Sequence, residues 1–294
     1  MPLNYSKSWL KFLTDVEATK EDIGFRENEE CFYRGHTQTN FNLQPGLYRG
    51  ANIFQKDIPF SIWNKECDLF YEFRAKAKEL HNQDLCDWDI LFFMQHHGVK
   101  TRLLDWTESL AVAIYFSLLN YDPAKSNPCI WIMNPYKLNE KYHGSRDLFD
   151  PLLLKYYDNY EEEGESYGEL ILYSEPYNVF QWDEPIGLYP VRRADRLTTQ
   201  SGYFTVHGND SRPIEYIVPA SKNICKKVEL PKNAIDGAFA FLEHAGINQF
   251  TLFPDMDGLS KYLNYKYFES QQLRLMTSKT KTKAKTKAKT KIKR

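Results

Sequence analysis

Paired cysteines are missing from this sequence. Its five (Cys31, Cys67, Cys86, Cys129, Cys225) are odd in number, widely spaced and form no CxxC. That excludes a disulfide framework or zinc ribbon and is expected of reduced thiols in a cytosolic protein. No stretch approaches the roughly eighteen apolar residues of a membrane helix, and no apolar run follows a basic start. The protein is therefore expected to be soluble and cytoplasmic, with no membrane partner. No His, Cys and acid cluster shows ligand spacing, so no metal is expected. Internal repeats are absent, and so is a regular strand–helix–strand rhythm, which points to α+β.

Aromatic residues are abundant: twenty Tyr and nineteen Phe in 294 residues, enough for a sizeable core in one large domain or two small ones. The formal charge of −1 hides an asymmetry. Residues 279–294 hold eight Lys and one Arg with no acid, leaving 29 basic against 39 acidic side chains elsewhere. A tail of +9 on a body of −10 is a candidate contact for nucleic acid or its own acidic surface. From Ser278 the tail alternates Lys with Thr or Ala and is expected to be disordered. The aromatic residues are not interleaved with Arg or Lys in one strand, so no nucleic-acid recognition fold is indicated.

Apolar spacing predicts helices from Ser6 to Val16, Glu66 to Leu80, Trp88 to His96 (closed by Gly98), Ala234 to His244 and Leu259 to Phe268. Strands are expected at Glu30–Arg34 closed by Gly35, and at Cys129–Met133, Gly202–Val206, Ile214–Val218 and Phe250–Phe253. Residues 158–169 read as an acidic surface loop, and Asp255-Met256-Asp257-Gly258 as the turn that starts a helix. The densest chemistry lies in Gln95 to Thr107, with Gln95, His96, His97, Arg102, Asp105, Trp106 and Thr107 ahead of the apolar run Leu110–Leu119. That run reads as a buried helix. Thr107 can cap it, and Arg102 with Asp105 can form a buried pair fixing the loop. Trp106 reads as core.

Phe32-Tyr33-Arg34-Gly35-His36, Leu43-Gln44-Pro45-Gly46-Leu47-Tyr48-Arg49 and Gln95–Thr107 closely resemble the FRG domain, a bacterial and phage family named for its Phe/Tyr-Arg-Gly motif. Arg196–Phe204 and Leu252–Leu259 also look like it, so the resemblance spans roughly residues 28–265. Lys100 stands where the family more often has proline. The implied division is an N-terminal helix (1–27), the FRG domain with its extension (28–277) and the tail (278–294).

A second resemblance is to the ADP-ribosyltransferase fold of the Arg–Ser/Thr–Glu type, mixed and mainly antiparallel sheets with flanking helices. It matches an early Arg-Gly, a hydroxyl-bearing strand before a buried helix, and a late glutamate. Here those are Arg34, Thr107 (or Thr101) and Glu215. The resemblance implies NAD as substrate in a cleft built from Arg34, Gly35, His36, Gln95, His96, Thr101, Arg102, Asp105 and Thr107. Glu215 would stabilise the oxocarbenium formed as the nicotinamide–ribose bond breaks. Gln200 and His97 are the next candidates for chemistry. The Arg34 fork would grip a pyrophosphate, or alternatively pair with a carboxylate such as Asp105. The implied activity is transfer of ADP-ribose to a protein or nucleic-acid acceptor by a toxin or phage-defence effector. The alternative is a non-catalytic nucleotide- or partner-binding module on the same fold.

Overall fold

A computed structural model describes residues 5–50, 55–81, 86–151, 183–189 and 202–269. The expectations for residues 158–169, Gln200 and the Lys-rich tail lie outside the described residues.

The architecture is α+β, built on one six-stranded antiparallel sheet of order β4-β5-β2-β1-β3-β6. Its strands are β1 (Phe32–His36), β2 (Leu103–Thr107), β3 (Cys129–Met133), β4 (Ile186–Leu188), β5 (Gly202–Val206) and β6 (Cys225–Glu229). The helices are α1 (Lys7–Ile23), α2 (Phe60–His81), α3 (Asp87–His96), α4 (Leu110–Leu118), α5 (Pro135–His143), α6 (Ile214–Ile217), α7 (Ile235–His244), α8 (Gln249–Leu252) and α9 (Met256–Asn264).

Ser6 caps α1 by accepting from Trp9 N at 3.2 Å, and Trp9, Phe12, Val16 and Ile23 turn to one side. They pack with α4, α7 and the sheet residues Tyr33, Ile130, Ile132 and Val228. At the other end, α2 and α3 cover Leu103, Phe204, Val206 and Ile186. The opposite face buries Phe32, Leu104, Trp106, Trp131 and Met133 against α5 and α6. Covered on both faces, β3 is buried throughout, as its continuous apolar run predicts.

Several expectations are corrected. Ile214–Val218 is not a strand; Ile214–Ile217 forms a helical turn after Pro213. Ile214 and Ile217, both buried, share a helical spacing that the five-residue window disguised as alternation. Phe250–Phe253 is likewise not a strand, because Asn248 accepts from Phe250 N and Thr251 N (3.0 and 3.1 Å) and starts α8. Thr107 does not cap α4. Ser109 does, accepting from Val112 N at 3.4 Å, while Thr107 ends β2 and accepts from Ser109 N at 3.1 Å. Gly35 lies inside β1 rather than closing it. Asp255 does start a helix, accepting from Gly258 N at 2.7 Å.

Candidate functional site

β1 and β2 pair through a single register, Tyr33 opposite Thr107. Beyond it the ladder stops, and the Asp105 carbonyl accepts instead from Arg34 Nη1 at 2.5 Å. A cleft of about 720 Å³ opens here. It is lined by Arg34, Gly35 and His36, by Phe41, Gln44 and Arg49 of the following loop, by Asp105, Trp106 and Thr107, and by Phe116 and Phe253.

Arg34 is held on two sides. Its Nε donates to His36 Nε2 at 3.2 Å, and its Nη1 lies 3.6 Å from the Asp105 carboxylate. Its Nδ1 faces both the Phe41 carbonyl at 3.3 Å and the Trp131 Nε1–H at 3.2 Å. Burial, then the charge of Arg34, push the His36 pKa down to about 3, with Arg49 and Lys227 acting the same way. The ring is thus a neutral acceptor that fixes the guanidinium. Burial also lowers the Arg34 pKa; Arg49 adds to this and Asp105 opposes it. An arginine keeps its charge through such a shift.

The spacing of Gln95, Thr101 and Asp105 has a physical meaning. Thr101 Oγ1 donates to Gln95 Oε1 at 2.6 Å, and Gln95 Nε2 donates to Asp105 Oδ2 at 2.7 Å. The end of α3 thereby steadies the exposed carboxylate of β2. Gly35 serves packing: a Cβ there would lie 1.9 Å from Ala113 O and 2.6 Å from Ser117 N. Only glycine lets α4 settle this closely on β1.

Of the anticipated residues, the structure brings Arg34, Gly35, His36, Asp105 and Thr107 to the cleft, with Gln95 and Thr101 behind Asp105. It does not bring Arg102, His96, His97 or Glu215 there. Arg102 is fully buried and paired with Glu66, not Asp105; its Nε donates to Glu66 Oε1 at 2.5 Å and its Nη2 to Oε2. Residues three apart on an extended chain face opposite ways, so the expected Arg102–Asp105 pair could not form. His96 and His97 end α3, with rings 4.9 Å apart, and neither lines the cleft. Glu215 sits behind the cleft wall: both carboxylate oxygens accept from Leu43 N, at 3.0 and 3.2 Å. Burial raises its pKa above the usual carboxylate value.

Sequence reasoning missed Arg49, although its motif was noticed, and Phe41, Phe116 and Phe253. Their signal was only that Arg49 and Phe253 lie inside segments resembling the family. Among the described residues, no helix is long and apolar enough to cross a membrane, and no three His, Cys, Asp or Glu are grouped to hold a metal ion.

No curated protein and no solved structure matches this chain. The family model of the FRG domain matches residues 29–126, short of the span to residue 265 suggested by resemblance. The match runs from just before β1 to the approach of β3, and every cleft residue except Phe253 falls within it. With Arg34-Gly35 on β1, and the Gln95–Thr107 segment steadying the carboxylate beside them, this chain carries an FRG domain.

Proposed function

We propose that the cleft binds a nucleotide, with NAD the first ligand to test, on a scaffold of ADP-ribosyltransferase-like fold. The observation that carries this is the lining itself: Arg34 and Arg49 together with three phenylalanine rings, and Asp105 as its one carboxylate. The excess positive charge favours an anion, and a braced guanidinium grips a pyrophosphate through paired hydrogen bonds. Phenylalanine faces suit a base or a nicotinamide. A volume of about 720 Å³ lies within the range of small-molecule sites, about 300–1,000 Å³.

A second reading, transfer of ADP-ribose to a protein or nucleic-acid acceptor, is favoured by the position of Asp105. An oxocarbenium needs a nearby carboxylate, and Asp105 lines the cleft whereas Glu215 does not. This reading therefore rests on Asp105. Consuming or sequestering NAD would then make the protein a toxin or a phage-defence effector.

The test is a thermal shift with NAD and nicotinamide release from NAD, for the parent and for Arg34→Ala, Asp105→Asn and Glu215→Gln. A shift abolished by Arg34→Ala supports binding. Release lost in Asp105→Asn and kept in Glu215→Gln supports transfer. Neither shift nor release refutes the proposal for NAD.

A further inference from the structure

His36 has more hydrogen-bond partners around it than one imidazole can satisfy. A neutral imidazole offers one N–H and one lone pair. Three groups face its two nitrogens. The Arg34 Nε–H points at Nε2 (3.2 Å), while the Trp131 Nε1–H (3.2 Å) and the Phe41 carbonyl (3.3 Å) share Nδ1. Arg34 and Trp131 can only donate. With the proton on Nδ1, Arg34 and Phe41 are served and the Trp131 N–H meets another N–H. With the proton on Nε2, Trp131 gains its acceptor and the Arg34 Nε–H is the one opposed. No tautomer serves both donors. Trp131 is buried at 6% exposure, so bulk water does not make good the loss on its side.

The guanidinium ties this conflict to ligand binding. Arg34 Nη1 is committed to Asp105, donating to its carbonyl and facing its carboxylate at 3.6 Å. A paired grip on a phosphate therefore falls to the other edge, Nε with Nη2. Among the described residues Nη2 has no hydrogen bond, but Nε is held by His36. A phosphate oxygen that accepts from Nε frees His36 Nε2, and the Trp131 N–H is already in place at Nδ1 to supply a compensating bond. One proton then leaves Nδ1 and one is taken up at Nε2, exchanged through water, with no net change in charge. Phe41 alone loses a partner, and it is 45% exposed, so water can replace the ring. Given the nucleotide binding proposed above, on which this rests, we propose that a ligand phosphate draws Arg34 Nε off His36 and that the ring changes tautomer. It then accepts from Trp131 at Nδ1 and donates Nε2–H to the same phosphate. His36 is thus a brace for Arg34 in the empty cleft and a second phosphate donor in the filled one.

The experiment is long-range proton–nitrogen NMR of the full chain labelled at its seven histidines, which distinguishes the two ring tautomers. The His36 signals are those missing from His36→Phe. Inorganic pyrophosphate is the probe, and a thermal shift with NAD runs in parallel. His36 should be Nδ1–H alone and Nε2–H with saturating pyrophosphate. Trp131→Phe removes the compensating donor, so its ring should stay Nδ1–H with the probe present. Its pyrophosphate affinity should fall about tenfold, the order of one hydrogen bond to a charged group. Circular dichroism checks that this variant is folded; if it is not, the tautomers of the parent chain decide. A ring that stays Nδ1–H with pyrophosphate bound, or that is Nε2–H without it, overturns the proposal and leaves nucleotide binding standing. So does a folded Trp131→Phe that binds pyrophosphate as tightly as the parent. Absence of pyrophosphate binding also overturns it, and nucleotide binding falls with it only if NAD gives no thermal shift.

Discussion

Arg34 and Arg102 both belong to segments that mark the FRG domain, and both sit near a carboxylate, yet they do opposite work. Arg102 is wholly buried, doubly bonded to Glu66 of α2, and its Nη1 also donates to the His207 and Gly208 carbonyls at 3.2 and 3.4 Å. Every donor direction used is internal, so the ion pair joins α2 to β2 and the segment after β5. Arg34 is held by His36 and by the Asp105 carbonyl, but its side chain stays 16% exposed and its partner carboxylate 54% exposed. A buried charge must be fully paired within the fold, whereas a cation at the rim of a cleft keeps capacity for a ligand. Residue type and motif membership did not separate these two roles; desolvation did.

The largest expected effect is on stability. Arg102→Leu strands Glu66 in the core and should cost about 3–5 kcal/mol in urea unfolding. Arg34→Leu, losing a partly solvated pair, should cost about 1 kcal/mol or less. Equal losses would break the contrast.

Acid should act on both regions. His36 braces Arg34, and buried His207 supplies the carbonyl to Arg102; burial pushes each ring's pKa down to about 3. An unfolded histidine titrates near 6.5, so between about pH 6.5 and 3 the unfolded chain binds protons that the folded one does not. Stability is complete above that window and falls as pH drops through it, by about 2 kcal/mol for each ring at pH 5. Urea titrations between pH 7 and 5 measure it, and His207→Phe should remove that ring's share of the pH slope.

Ligand affinity gives a smaller, sharper test. Arg34→Lys keeps the charge but loses the fork, and should weaken nucleotide binding about tenfold, roughly one charged hydrogen bond, without moving the unfolding midpoint. Smallest of all is Glu215→Gln: its amide oxygen still accepts from Leu43 N, so both stability (within about 1 kcal/mol) and nucleotide response should hold. A complete loss of turnover in that variant would return the chemistry to Glu215.

Much of the fold was legible because its signals are local. The Ser6 cap and the apolar stripe of α1, the closure of α3 before Gly98, the unbroken apolar β3 and the span of β5 are each written within a few neighbouring residues. Short segments failed where two periods fit the same window: Ile214–Ile217 and Gln249–Leu252 are one helical turn each. Pro213 and the Asn248 cap decided them. β4 and α5 went unread for related reasons, one having three residues and the other hiding behind an Asn134-Pro135 pair that begins a helix rather than ending a strand.

For the site, the sequence by itself determined that Arg34, His36 and the Gln95–Thr107 cluster would carry polar chemistry beside a buried helix, since those residue types crowd at one strand end and one loop. Only the tertiary structure decided their partners. Glu66 reaches Arg102 across 36 residues, and Glu215 reaches Leu43 across 172. Phe253 joins a cleft whose other walls lie more than a hundred residues earlier. Such partnerships arise from which face of an element is buried and against what, and neither periodicity nor motif encodes that across so long a separation.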